Sequence, residues 1–123
     1  MDKTDFNLIL TDLATIPHRL DEFAWEPLVP GVERSPLHQD AAGHTKLALL
    51  RYASGATVPE HLHAGMEYIQ ILAGSQQDER GVYRAGTLLV SFPGSSHRIA
   101  SPDGCVALAI WESPVCFVSS DRT

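Results

Sequence analysis

The sequence predicts an all-β fold, a small antiparallel barrel or sandwich of short strands. Three observations predict it. Glycine- and proline-centred punctuation recurs about every eight to twelve residues, at Pro30-Gly31, Gly43, Gly55, Gly65, Gly74, Gly81, Gly86, Pro93-Gly94 and Asp103-Gly104. Between these marks lie short runs rich in aliphatic and β-branched residues, which suit a pleated, half-buried surface. No helical pattern of useful length separates the runs from Trp25 onward, which argues against a parallel α/β sheet. The length of 123 residues suits one domain with one core. No repeat, low-complexity tract or break in composition divides the chain.

Residues 1–24 read as an extension and residues 25–123 as the single domain. In the extension, "TDFNLILTDLATIP" places Phe6, Ile9, Leu10 and Leu13 at helical spacing behind the possible caps Thr4 and Asp5. Pro17 is expected to close that helix, and the same residues can serve instead as an edge strand. An extension this short cannot bury Phe6, Ile9 and Leu13 alone, so docking on a neighbouring barrel is expected. Beyond it, "TKLALLRYA", "EYIQILAG", "GTLLVSF" and "CVALAIWE" each read as a strand.

Charge and composition exclude several classes. The net charge is −6 and there is no run of lysines or arginines, so a phosphate-tracking surface for nucleic acid is not expected. The longest apolar run, Cys105 to Trp111, is too short to span a bilayer. "MDKTDFNLIL" lacks the basic and apolar regions of a signal peptide. Cys105 and Cys116 make no disulfide framework and read as small buried strand residues. A cytoplasmic protein with reduced thiols is the expectation.

The chemistry concentrates in "GATVPEHLHAGMEYIQILAG". Side chains alternate along a strand, so His61 and His63 share one face and Leu62 takes the other. Gly65 permits a reversal that brings Glu67 in on an adjoining strand. Two imidazoles and one carboxylate make a chelating set for a divalent ion. In "GTLLVSFPGSSH", Pro93-Gly94 turns the chain and His97 begins the next strand. A sheet curled into a barrel can carry His97 to the other three.

The remaining polar residues fit blander roles. His18, His38 and His44 read as surface or loop residues. Ser95 and Ser96 read as turn-shaping hydrogen-bond donors rather than nucleophiles, since adjacency to His97 makes no triad. Trp25, Trp111, Phe92 and Tyr83 read as core or rim packing. Arg51 shares a face with Leu47 and Leu49. It either opens toward the cavity mouth, as a possible anchor for a substrate carboxylate, or lays its aliphatic stem along apolar surface.

These motifs resemble those of the cupin superfamily. Its first motif, G-x5-H-x-H-x3-E-x6-G, is matched by Gly55, His61, His63, Glu67 and Gly74. Its second, G-x5-P-x-G-x2-H-x3-N, is matched by Gly86, Gly94 and His97, while Phe92 and Ser101 replace its proline and asparagine. "WEPLVPGVERSPL", "DERGVYRAG", "FPGSSH" and "PDGC" are similar to the cupin domain of ChrR-type anti-sigma factors and its stand-alone relatives. The resemblance implies a jelly-roll-like double-stranded β-helix. It implies one divalent metal per chain, held by His61, His63, Glu67 and His97. Zinc is the metal of the regulatory branch and iron(II) that of the oxygenase branch, with manganese or nickel also compatible. Two functions follow as expectations: a small-molecule- or oxidant-responsive binding module, or a mononuclear iron(II) dioxygenase acting on a small diketone or hydroxyketone. A sugar or keto-acid isomerase is a third. The HxxxCxxC zinc module of the anti-sigma half has no counterpart in residues 1–24, so direct sigma-factor binding by this chain alone is not expected. A homodimer is expected by analogy with other small cupins.

Overall fold

The computed structural model describes residues 7–118. Ten strands follow in order: β1 (Glu26–Val29), β2 (Val32–Gln39), β3 (Thr45–Tyr52), β4 (Ala56–His63), β5 (Glu67–Asp78), β6 (Gly81–Arg84), β7 (Leu88–Ser91), β8 (Ser96–Ser101), β9 (Cys105–Trp111) and β10 (Val115–Phe117). All their pairings are antiparallel. The strands hydrogen-bond in the order β1-β2-β3-β9-β5-β8-β4-β10, with β6 and β7 also on β5. The four runs read as strands from sequence become β3, β5, β7 and β9.

β5 joins the two halves of the molecule. Its first half pairs with β9 and β7, and its second half with β6 and β8. The change of partner coincides with a bulge between Ile71 and Ala73. An extra residue in one strand reverses the alternation of faces and bends the strand. Glu67, Ile69 and Ile71 therefore face inward before the bulge, and Gln76 after it. Gly74, the last glycine of the first motif, sits beside the bulge at φ 71°, and a Cβ there would stand 2.0 Å from the Gly104 carbonyl oxygen. Only glycine fits both the backbone angle and the space.

The barrel interior holds two apolar clusters. Leu50, Ile69, Ile71, Cys105, Ala107 and Ala109 form one, and Val32, Ala56, Val58 and Ile99 the other. Complete burial of a side chain such as Ile71 contributes roughly 1.5–3 kcal/mol. The outer face of β3 and β9 is buried too. Leu49 and Val106 are covered by Ile16, with Leu13, Leu20, Phe23 and Trp25 around them.

The extension departs from the expected helix. Residues 13–18 form a 3-10 helix with Pro17 inside it rather than after it, and Leu20–Glu22 form a second short turn. Proline has no N–H for an α-helical bond to the carbonyl of Leu13, and its ring would collide with that carbonyl. Asp12, at φ 53°, breaks any helical path from the preceding residues. Thr4, Asp5 and Phe6 lie outside the described residues. Ile16 is fully buried and Leu13 packs beside it on the chain's own barrel, whereas Ile9 is 75% exposed. The expected docking of Leu13 on a neighbour is thus corrected to packing within the chain.

Candidate metal centre

β4 delivers two of the four side chains, and a bulge aims them. Ala56 and Val58 face inward, so plain alternation would turn Glu60 and Leu62 inward next. The register with β8 shifts between Val58 and His61. The extra residue at Pro59–Glu60 reverses the alternation, so His61 and His63 are buried and Leu62 is 40% exposed. His61 then lies directly across from His97 of β8. Glu67 arrives at the start of β5, which does not pair with β4. The reversal expected at Gly65 is therefore a crossing between the two halves. Gly65 serves it by close approach: a Cβ there would stand 2.9 Å from Ser113 Oγ.

The four side chains converge. One ligand atom from each of His61, His63, Glu67 and His97 lies within 4.8 Å of all the others, and all four residues are buried. His61 Nε2 and His97 Nε2 are 3.0 Å apart, and His63 Nε2 is 3.2 Å from Glu67 Oε1.

The opposite edge of each imidazole is held by an acceptor. His61 Nδ1 is 2.9 Å from the Pro59 carbonyl oxygen, an acceptor that the bulge itself supplies. His63 Nδ1 is 3.1 Å from the Ser95 carbonyl oxygen and 2.9 Å from Ser95 Oγ. The Ser95 hydroxyl spends its proton on the Phe92 carbonyl, so its oxygen accepts from the ring. His97 Nδ1 is 3.4 Å from Asp78 Oδ2. Carbonyl and carboxylate oxygens only accept, so the proton of each neutral ring belongs on Nδ1. Each Nε2 then presents a lone pair to the common centre. Two lone pairs at 3.0 Å repel unless a cation or proton lies between them. His63 Nε2 is also the one buried side-chain nitrogen or oxygen, among the described residues, with no hydrogen-bond partner. A divalent ion satisfies both conditions, so the residues present fit the group.

The carboxylate is equally prepared. Burial alone would raise the Glu67 pKa, but the Trp111 indole N–H, 2.7 Å from Oε2, and the positive charge that His63 and His61 bring when protonated outweigh burial and hold it below the usual value. His97 is shifted down, first by burial and then by the neighbouring His61 and His63, which favours the unprotonated ring that a metal ligand requires.

A cavity of about 360 Å³ adjoins the cluster. Its walls are largely apolar, with Leu50, Val58, Ile69, Leu89 and Ile99 inside and Phe92, Val115 and Phe117 nearer the rim. A cavity of this size suits a small organic molecule.

Arg51 is placed elsewhere. It shares a face with Leu49 as expected, but that face is the outer one. Its guanidinium lies 4.4 Å from the Trp25 ring centre, and Nε is 2.7 Å from Glu33 Oε1. Arg51 does not line the cavity that holds the cluster. His18, His38 and His44 are exposed, as expected. Cys105 is buried, whereas Cys116 is exposed on the edge strand β10, which corrects its expected burial. Trp111 does more than pack, since it donates to Glu67. Sequence reasoning missed Asp78 and the accepting role of Ser95. Asp78 was hidden by the bulge in β5; Ser95, two residues before His97, was noticed but read only as a turn donor.

An antiparallel barrel with three histidines and a glutamate turned inward defines the cupin class. Residues 14–114 match the model of the ChrR cupin-like domain, and the chain belongs to that family. It is 29% identical over 106 residues to the anti-sigma-E factor ChrR of Cereibacter sphaeroides, a match that covers 85% of this chain and 49% of that protein. The chain thus spans about half the length of that relative. The crystal structure of Rhodobacter sphaeroides SigE in complex with the anti-sigma ChrR is similar at a TM-score of 0.68 and 26% identity, covering 89% of this chain and 61% of that one. An acetylacetone dioxygenase from Acinetobacter johnsonii shares the fold at a TM-score of 0.72 and 14% identity, covering 100% of this chain and 84% of that one. No helix among the described residues is long and apolar enough to cross a membrane.

Proposed function

We propose that this chain is a metal-bearing ChrR-type cupin module that responds to a small molecule or oxidant. In this reading His61, His63, Glu67 and His97 hold one divalent ion, and the adjoining cavity admits the ligand. The observation that carries it is the convergence of one ligand atom from each of three buried histidines and Glu67, with His63 Nε2 unpartnered. Three imidazoles and one carboxylate leave a divalent ion with a net charge of about +1. The apolar walls lower the local dielectric and strengthen that charge's pull on a polar ligand group. Zinc suits the four donors as a closed site, whereas iron(II) prefers further ligands and supplies oxygen chemistry when they are small molecules. Residues 25–123 form the metal-bearing domain and residues 1–24 its extension. The solved complex with SigE concerns the longer ChrR chain, and direct sigma-factor binding by these residues alone is not part of this proposal.

The cavity favours a second reading, a mononuclear dioxygenase acting on a small diketone or hydroxyketone. Its walls can orient a compact, largely apolar substrate and exclude water while a chelating end meets the ion. One series of measurements separates the two. Protein purified without chelator is assayed for bound metal, then for oxygen uptake with iron(II) and a panel of β-diketones, thiols and hydroxyketones. Bound zinc without turnover supports the binding module. Substrate-dependent oxygen consumption that is lost in His61→Ala and His97→Ala supports the enzyme. A sample with no metal, and none taken up on addition, sinks both.

A further inference from the structure

The "DERGVY" segment between the two histidine motifs has a place in the site that the ligand set does not explain. Asp78 ends β5, and the hairpin Glu79–Arg80 turns into β6. The Asp78 side chain is only 5% exposed and holds three groups together. Its Oδ1 accepts from the Tyr83 hydroxyl at 2.7 Å and from the Arg80 backbone N–H at 2.8 Å, while Oδ2 faces His97 Nδ1 at 3.4 Å. Glu79 Oε1 accepts from the backbone N–H of Arg98, the residue after His97, at 3.0 Å. The hairpin is thus latched to β8 at the His97 ring and at the backbone of the next residue.

The three histidines are backed unequally. His61 and His63 lean on uncharged oxygens, those of Pro59 and Ser95. His97 alone leans on a carboxylate. A carboxylate behind a ligating imidazole fixes the ring's tautomer and orientation and raises its basicity more than a carbonyl does. Tyr83 and the Arg80 N–H in turn fix the rotamer of that carboxylate.

We propose that Asp78, steadied by Tyr83, is the positioning residue that sets His97 as a metal ligand, and that the β5–β6 hairpin exists in part to hold it. This rests on the metal-binding reading above, but its central element, the state of the His97 ring, is present in the metal-free protein. Two measurements test it. Long-range nitrogen–proton NMR of the metal-free chain reads the tautomer of His97, expected as Nδ1–H in the native protein and mixed in Asp78→Ala. Zinc competition against a chromophoric chelator reads affinity. Asp78→Ala is expected to lose about 10- to 100-fold, Asp78→Asn less because its amide oxygen still accepts, and Tyr83→Phe least. If Asp78→Ala fails to fold, Asp78→Asn and Tyr83→Phe carry the test through both readouts. Native tautomer and unchanged zinc affinity in the folded variants would overturn the proposal. A native chain that binds no zinc yet shows His97 changing tautomer with Asp78 would sink the metal reading and keep the positioning role.

Discussion

The two ends of the barrel interior are built on opposite terms. At one end Ile71, Cys105 and Ala107 pack into the apolar cluster, with the Gln76 amide near Cys105 Sγ. At the other end His61, His63, Glu67 and His97 crowd together in an arrangement that the protein's own groups do not fully satisfy. The same strands, β5 and β9, feed both ends. Apolar packing is non-directional and always favourable, so the first end stabilises the fold whatever is bound. The second end needs hydrogen bonds behind each ligand and a cation in front, so its contribution depends on loading. Stability and metal binding should therefore separate by mutation.

The largest expected effect lies at the apolar end. Ile71 is fully buried, and Ile71→Ala should cost about 2–5 kcal/mol from lost transfer energy and the cavity left behind. Denaturant melts should show the same loss with and without zinc. A loss seen only in the zinc-loaded protein would break the comparison. At the polar end, His63→Ala should abolish the zinc-dependent rise in Tm. At zinc a hundredfold above the native Kd that rise corresponds to about 2.7 kcal/mol. The metal-free melt should change far less, since the variant removes an unpartnered nitrogen as well as a ring. Full metal retention in His63→Ala would remove that residue from the site.

How much of this was legible follows the bulges. His61 and His63 were read correctly as face-mates because the bulge at Pro59–Glu60 lies before them and leaves their own spacing intact. Asp78 was not, because the bulge after Ile71 breaks the alternation that would have linked it to Glu67. Counting by twos from Glu67 puts residue 78 outside. Arg51 was left between two placements for a different reason. β3 is apolar on both faces, with Leu50 inside and Leu49 under the extension, so its sequence cannot say which side is the cavity. The extension departs from the expected helix because helical spacing was weighed above Pro17, whose ring and missing N–H break an α-helical turn. Ser101 stands where the motif has asparagine; it is fully buried, and its hydroxyl donates to the Ser75 carbonyl at 2.7 Å.

A smaller effect sharpens the contrast at the polar end. Trp111→Phe keeps most of the ring volume and removes the N–H that Glu67 Oε2 accepts at 2.7 Å. Hydrogen bonds to a charged group contribute about 1.5–3 kcal/mol, and the loss should fall on the metal-free protein, where no other group among the described residues donates to Oε2. Zinc should recover part of that loss by giving the carboxylate a cation. Equal destabilisation with and without zinc would mean that Trp111 acts only by packing.

The smallest effect concerns the two thiols. Cys105 sits at the apolar end, and burial pushes its thiol from an ordinary value of 9.0 up to about 11, with the Gln76 amide offsetting a little. Cys116 is exposed on the edge strand. A thiolate is the reactive form, so at pH 8 an alkylating reagent should modify Cys116 quickly and Cys105 only when the chain opens. The sign on stability follows from the same shift. As pH rises past 9 the unfolded chain gives up the Cys105 proton first, so folding is weakened progressively until about pH 11. Mass spectrometry of the alkylated protein counts the modified sites. Two rapid modifications in the folded chain would show that the apolar end opens as readily as the rim, and the separation of the two ends would fail. Slow modification of Cys105, at a rate that zinc lowers, would show instead that Cys105 is exposed only by openings that also break the metal site, because an ion that binds the closed form suppresses those openings alone.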